Sequence, residues 1–252
     1  MGRFEGKVAF VAGGNSGIGQ ASALMLADEG ANLVIAGRNP DTGAETVAML
    51  EERGATAHFV QMNIRSLEDV QKAIGFTVET FGQLNYLVNS AGLEGEVANT
   101  VECTEDNWHA VIDTNINGTW YLMKSAIPHM LESGGGAIVN VSSVIGVIAF
   151  PGLPAYTASK AGMVGLSKTT ALEYATEGIR VNVVAPGSIR TPMYERFSGG
   201  TPEAEAYMAG FHPLGRIGEP NEVAGAVTYL LSDDASFVTG HVMPVAGGWE
   251  VP

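Results

Sequence analysis

The apolar run Val8-Ala9-Phe10-Val11-Ala12, entered from Lys7 and ended at once by glycines, constrains this chain more than any other stretch. A strand with one wet face alternates apolar and polar residues. A run without alternation is covered on both faces, which is the condition of a strand in a parallel sheet between helical layers. Gly13-Gly14-Asn15-Ser16-Gly17-Ile18-Gly19 follows, then Gln20 to Glu29 with Ala21, Leu24, Met25 and Leu26 apolar, a helix stopped by Gly30. Asn32 to Ala36 (NLVIA) is a second buried strand. Strand, glycine turn, helix, strand is the βαβ unit, because parallel strands need a crossover between them.

The pattern repeats to the end of the chain. Thr42 to Arg53 reads as a helix ending at Gly54, Thr56 to Gln61 as a strand, Leu67 to Phe81 as a helix ending at Gly82, and Tyr86 to Asn89 as a strand. Thr104 to Met130 carries helical patterning, with Pro128 near its end. Ala137 to Val141 and Arg180 to Ala185 read as strands on either side of a helix over Pro154 to Ala175; Glu219 to Leu231 reads as a helix and His241 to Val245 as a last strand. About seven strands alternating with about six helices, with no linker or composition break, predict one α/β domain over residues 1–252, a Rossmann-type doubly wound parallel sheet. Residues 189–213 show no clean period, and a connection of that length is expected to be a lid.

Composition narrows the partners. A net charge of −14 lacks the basic footprint of a nucleic-acid surface and disfavours anionic membranes. The longest apolar run, around Val144 to Phe150, is too short to span a bilayer. Cys103 is the only cysteine, so no intrachain disulfide forms, and the N-terminus has no signal-peptide layout; a cytoplasmic protein is expected. His58, His109, His129, His212 and His241 show no metal-ligand spacing, and no metal is expected.

The chemistry starts at the first glycine turn. Gly13, Gly17 and Gly19 give G-x-x-x-G-x-G, which is not the G-x-G-x-x-G of the common dinucleotide fingerprint. Placed between a first strand and its helix, such a turn lets a pyrophosphate approach the backbone and the helix N-terminus; a tight strand-to-helix turn without a ligand is the plainer reading. The second strand ends Ala36-Gly37-Arg38-Asn39. A carboxylate there would bind the ribose 2′-hydroxyl of NAD, whereas Arg38 suits the 2′-phosphate of NADP; a solvated loop residue is the other reading of Arg38. Farther on, Tyr156 and Lys160 stand four apart, so on a helix they share a face. A fixed ammonium near a phenol favours the phenolate, which makes the pair a candidate acid–base device.

The glycine turn, Asn89-Ser90-Ala91-Gly92 after the fourth strand, Asn115, Ser143 after the fifth strand, Tyr156-x-x-x-Lys160 and Pro186-Gly187 after the sixth stand in one order. In that order and spacing the chain resembles the classical short-chain dehydrogenases/reductases over almost its whole length. The resemblance implies that Tyr156 exchanges a proton with a carbonyl or alcohol oxygen. Lys160 would lower the Tyr156 pKa and hold ribose hydroxyls, Ser143 would hydrogen-bond the substrate oxygen, and Asn115 would hold a water leading to Lys160. It further implies a cofactor site of Gly13, Asn15, Ser16, Gly17, Ile18, Gly19, Arg38, Asn63, Ile64, Asn89, Ala91, Gly92, Tyr156, Lys160, Pro186, Gly187, Ile189 and Thr191; with Arg38 at the second strand's end, NADP(H) is expected in preference to NAD(H). Ser142 is expected to be structural. Ala12, Asn63, Ser90 and Ala246 depart from the residues usual at those positions, and none of these changes removes a catalytic group.

Val144, Ile145, Val147, Ile148, Phe150 and Leu153, with Met193, Tyr194 and Phe197, are expected to make an apolar cleft for a small hydrophobic ketone or secondary alcohol. Two other readings stand beside this one. In a 3-oxoacyl-carrier-protein reductase an acidic carrier docks on basic helix residues, yet residues 128–132 and 171–173 lack arginine. A non-catalytic nucleotide sensor would lack Tyr, Lys or Ser, and all three are present. The small face Ala161, Gly165, Thr169 lets another helix approach, and the family commonly forms tetramers there; a homotetramer, or a dimer, is expected.

Overall fold

In the computed structural model, which describes residues 2–251, β1 (Val8–Ala12) is buried at every position. Its side chains alternate between two cores. Ala9 and Val11 join Ala23, Leu26 and Val227 on one side of the sheet; Phe10 and Ala12 join Ile74, Leu122 and Met130 on the other. β2 (Asn32–Gly37) divides in the same way, Leu33 and Ile35 to the first core, Val34 and Ala36 to the second. Neither face meets water, which is why these runs carry no polar alternates.

The remaining strands are β3 (Ala57–Gln61), β4 (Tyr86–Asn89), β5 (Gly136–Val141), β6 (Ile179–Pro186) and β7 (Val242–Val245). All seven run parallel in the order β3-β2-β1-β4-β5-β6-β7. The helices, in chain order, are α1 (Gly17–Asp28), α2 (Pro40–Glu51), α3 (Leu67–Phe81), α4 (Glu105–Ile112), α5 (Gly118–Glu132), α6 (Pro154–Tyr174), α7 (Pro192–Ser198), α8 (Pro202–Ala209) and α9 (Pro220–Leu231). The sheet grows outward from β1 in two directions, so crossovers leave on opposite faces between β1 and β4. A crevice therefore opens beyond the carboxyl ends of those strands.

Two stretches differ from the expectation. Residues 104–130 are not one helix: α4 stops at Ile112, Asp113–Asn117 form a wider π-helical turn, and α5 runs on through Pro128 to Glu132. The turn delivers Asn115 into the interior, where it is fully buried. Gly118 closes the turn against Ile64; a Cβ there would stand 2.7 Å from Ile64 Cγ1. Residues 189–213 hold α7 and α8 rather than a structureless loop. Each helix begins Thr-Pro, with Thr191 and Thr201 accepting from the backbone N–H of Tyr194 and Ala204 and the proline in the first turn. The start signals were legible, but helices of seven and eight residues are too short to declare a period. Among the described residues no helix is long and apolar enough to cross a membrane.

Candidate active site

The glycine turn lies at the switch point of the sheet. Gly13 has φ +74°, and a Cβ there would come within 2.8 Å of the Ala91 nitrogen, so the turn and the chain after β4 touch backbone to backbone. Ser16 caps α1 with an extended backbone and no side-chain capping bond. The first amides of α1 are left to a ligand, and with the helix dipole they suit a pyrophosphate. Asn15 donates to Thr42 Oγ1 at 2.7 Å and lies against Gly37, where any Cβ would collide with its Oδ1. Arg38 follows, exposed, its carbonyl accepting from Gln61 Nε2 at 3.0 Å.

A cavity of about 620 Å³ runs from here along the strand ends, within the range of small-molecule sites. Gly13, Asn15, Ser16, Gly17, Ile18, Arg38, Asn63 and Ile64 line one end. Ala91, Gly92, Ser143, Tyr156 and Lys160 line the middle, and Pro186, Gly187, Ile189 and Thr191 stand opposite. Three expected residues are not on the wall. Gly19 packs inside α1 against the Gly13 carbonyl. Asn89 is fully buried, its amide donating to Thr119 Oγ1 at 2.8 Å.

Asn115, the third, is a clamp. Its amide donates to Leu93 O and Ser159 Oγ, both at 2.9 Å, and its Oδ1 accepts from Leu93 N at 2.8 Å. It thereby ties the chain after β4 to α6, one residue before Lys160. Gly92 lies between: a Cβ there would sit 3.4 Å from Lys160 Nζ and 3.5 Å from Asn115 Oδ1.

The i,i+4 spacing on α6 does bring Tyr156 and Lys160 to one wall. Lys160 is buried, its Nζ donating to Val141 O at 2.9 Å and lying 5.6 Å from the centre of the Tyr156 ring. Ser142, expected to be structural, also lines the cavity, and its hydroxyl donates to Lys160 O at 2.9 Å. Ser143 Oγ accepts from Ile145 N at 3.2 Å and keeps its own proton to donate. The electrostatics differ from the expected lowering of the phenol by the ammonium. Burial pushes Tyr156 up to about 12; the Ser143 hydroxyl works against that, and the Glu94 carboxylate adds to it. Burial also brings Lys160 down to about 8. In the protein alone, desolvation dominates both shifts, and neither group figures among the causes of the other's.

Val144, Ile145, Phe150, Leu153, Met193, Tyr194 and Phe197 line the apolar end as expected. Val147 does not: it is 49% exposed on the outside. Ile148 packs in the small cluster behind Val144 and Leu153. The sequence reading missed Glu94, Arg65 and Trp249, all on the wall. Glu94 pairs with Arg196 of α7 at 3.1 Å and so joins the 189–213 segment to the chain after β4. Trp249 reaches the cavity from beyond β7 and stacks on Phe211 at 5.1 Å. No local pattern marks either residue, because both arrive through tertiary contact.

A family model described as enoyl-(acyl carrier protein) reductase matches residues 12–250. The chain is similar to cyclohexanol dehydrogenase of Acinetobacter sp. (strain SE19), 43% identical over 98% of this chain and 96% of that one. It is also similar to the 3-oxoacyl-[acyl-carrier-protein] reductase FabG of Thermotoga maritima, 38% identical over 98% of each. Among solved structures, that of levodione reductase superposes with a TM-score of 0.96 at 33% identity, covering 98% of each chain.

Proposed function

The chain belongs to the classical short-chain dehydrogenase/reductase family, and from that premise we propose that it interconverts a small hydrophobic ketone and its secondary alcohol, with NADP(H) preferred over NAD(H). The observation that carries this reading is the continuity of the cavity. It joins a phosphate-suited helix start and Arg38 at one end to Ser143, Tyr156 and an apolar chamber at the other. A cyclic substrate suits that chamber, where Phe150, Leu153, Met193 and Trp249 offer broad apolar surfaces, and a relative carries the name cyclohexanol dehydrogenase.

The bound dinucleotide supplies or accepts the hydride. The residues of the chain orient the carbonyl and manage its proton. Ser143 donates a hydrogen bond to the carbonyl oxygen, and Tyr156, which holds its proton at neutral pH, gives it to that oxygen as charge develops there. Lys160, protonated below about pH 8, donates to ribose hydroxyls. Asn115 acts through its clamp on Leu93 and Ser159, keeping Lys160 and Gly92 in register. Residues 189–213 serve as a lid, with Arg196–Glu94 as its tie to the body.

The test is a panel of cyclic and linear ketones and alcohols assayed with NADPH and NADH in parallel. Turnover of a cyclic ketone with NADPH at least about tenfold better than with NADH supports both halves of the reading. Arg38→Asp then reverses the cofactor preference, since the guanidinium is lost and a carboxylate repels the 2′-phosphate. Equal rates with both cofactors sink the role of Arg38. Reduction only of carrier-linked 3-oxoacyl groups sinks the substrate reading in favour of the FabG-like one.

We also propose assembly as a homotetramer or dimer through α6. Ala161, Gly165 and Thr169 are exposed there, a Gly165 Cβ would meet nothing within 4 Å beyond its own stretch of helix backbone, and Leu172 on the same helix is 84% exposed. Sedimentation is expected to give a mass two or four times that of the chain, and Gly165→Trp is expected to lower it.

A further inference from the structure

His212 is buried to 4% exposure just past α8, and both of its ring nitrogens are engaged by backbone. The Ser188 N–H donates to Nε2 at 3.0 Å. A nitrogen that accepts cannot carry the proton, so the imidazole is neutral with its hydrogen on Nδ1, and that hydrogen is donated to Met208 O at 2.9 Å. The ring lies directly on the Gly187 backbone: a Cβ on Gly187 would come within 2.6 Å of Nε2. On its other side it meets the Trp249 indole, ring centres 5.1 Å apart at 62°. Gly187, Ser188, Met208 and Trp249 all line the cavity, and His212 does not.

We propose that His212 is a positioning residue, a neutral imidazole that ties the end of α8 to Ser188 and so fixes the Pro186-Gly187-Ser188 backbone for the nicotinamide end of the cofactor. The inference rests on the reading of this cleft as a dinucleotide site. Ser188 N–H is buried, and without an acceptor it would turn to another partner and take the Gly187 peptide with it. The tie also gives a reason for glycine at 187 that is independent of any turn: nothing larger leaves room for the imidazole. With the tie absent, binding must itself order this segment, and affinity falls by the fraction of molecules in which it is already in place.

The test compares three variants with the wild type, reading the NADPH dissociation constant by fluorescence titration, kcat at saturating NADPH, and thermal unfolding. His212→Gln can set its amide oxygen near the Nε2 position and keep an acceptor for Ser188. His212→Asn reaches only the Met208 side, and His212→Leu reaches neither. The expected result is NADPH affinity within about threefold of wild type for His212→Gln and about tenfold weaker for His212→Asn and His212→Leu, with kcat at saturation changed less than affinity. If His212→Leu fails to fold, the contrast between Gln and Asn decides alone. Wild-type affinity in a folded His212→Asn, or a His212→Gln as weak as His212→Asn, overturns the tie. A wild type that binds no dinucleotide overturns the reading of the cleft instead.

Discussion

Tyr156→Phe is expected to cut ketone reduction by about a thousandfold or more while leaving NADPH affinity within about threefold of wild type. The substitution removes one oxygen from a ring that is half-buried on the cavity wall and leaves the packing against Val144 and Leu153 in place. What disappears, in the proposed mechanism, is the proton donor. Burial holds the phenol near 12, so at neutral pH Tyr156 carries its proton, the form needed to protonate a developing alkoxide. Ser143 remains and can still hydrogen-bond the carbonyl, but a serine hydroxyl has no acidity to spare. The same shift fixes a direction. Alcohol oxidation needs the phenolate, so the oxidation rate is expected to climb with pH across the alkaline range, whereas reduction stays flat until the phenol begins to ionise. Glu94→Gln, which removes a carboxylate that holds the phenol up, is expected to move the oxidation profile to lower pH. Steady-state rates in both directions against pH check all of this. If Tyr156→Phe reduces ketones at the wild-type rate, the proton comes from elsewhere and the assigned mechanism is wrong.

The parts of this site that lay in local sequence were legible, and the parts made by tertiary approach were not. The run Val8–Ala12 announced a strand covered on both faces, and its side chains do divide between two cores. Tyr156 and Lys160 were legible because helical spacing alone aligns them. Asn115 was found through its place in a motif, but its hydrogen-bonding to Leu93 and Ser159 depends on a π-helical turn that no propensity marks. Glu94, Trp249 and His212 depend on α7, α8 and the chain end coming back over the cleft. The sign of the Tyr156 shift was missed for the same reason. Spacing tells which charges are near one another, while desolvation is set by everything packed around them.

That desolvation makes Lys160→Met the change with the most divided outcome. The side chains are similar in length, so the variant removes an ammonium without opening a large cavity. Lys160 is 4% exposed and Nζ donates to a single carbonyl, Val141 O, at 2.9 Å. Its pKa, about 8 in the fold against 10.5 for a lysine in water, means that the unfolded chain holds this proton more tightly. The penalty is therefore complete below pH 8 and fades as pH rises from 8 towards 10.5, and its size is on the order of 3 kcal/mol. Part of the gain in Lys160→Met is offset by the bond lost to Val141. The cofactor-free variant is accordingly expected to melt a few degrees above wild type at pH 7, with the gap closing as pH approaches 10.5. Activity is expected to move the other way, by a loss of at least about a hundredfold, because in the proposed mechanism the buried charge holds the ribose hydroxyls and supports the Tyr156 proton transfer. NADPH is expected to raise the melting temperature of the wild type more than that of the variant, since only the wild type has an ammonium waiting for partners. Thermal unfolding between pH 6 and 10.5, with and without NADPH, checks each step. A cofactor-free Lys160→Met that melts below wild type at pH 7 would show that the buried ammonium stabilises the fold, and that its charge is not held there at the expense of stability for the sake of binding.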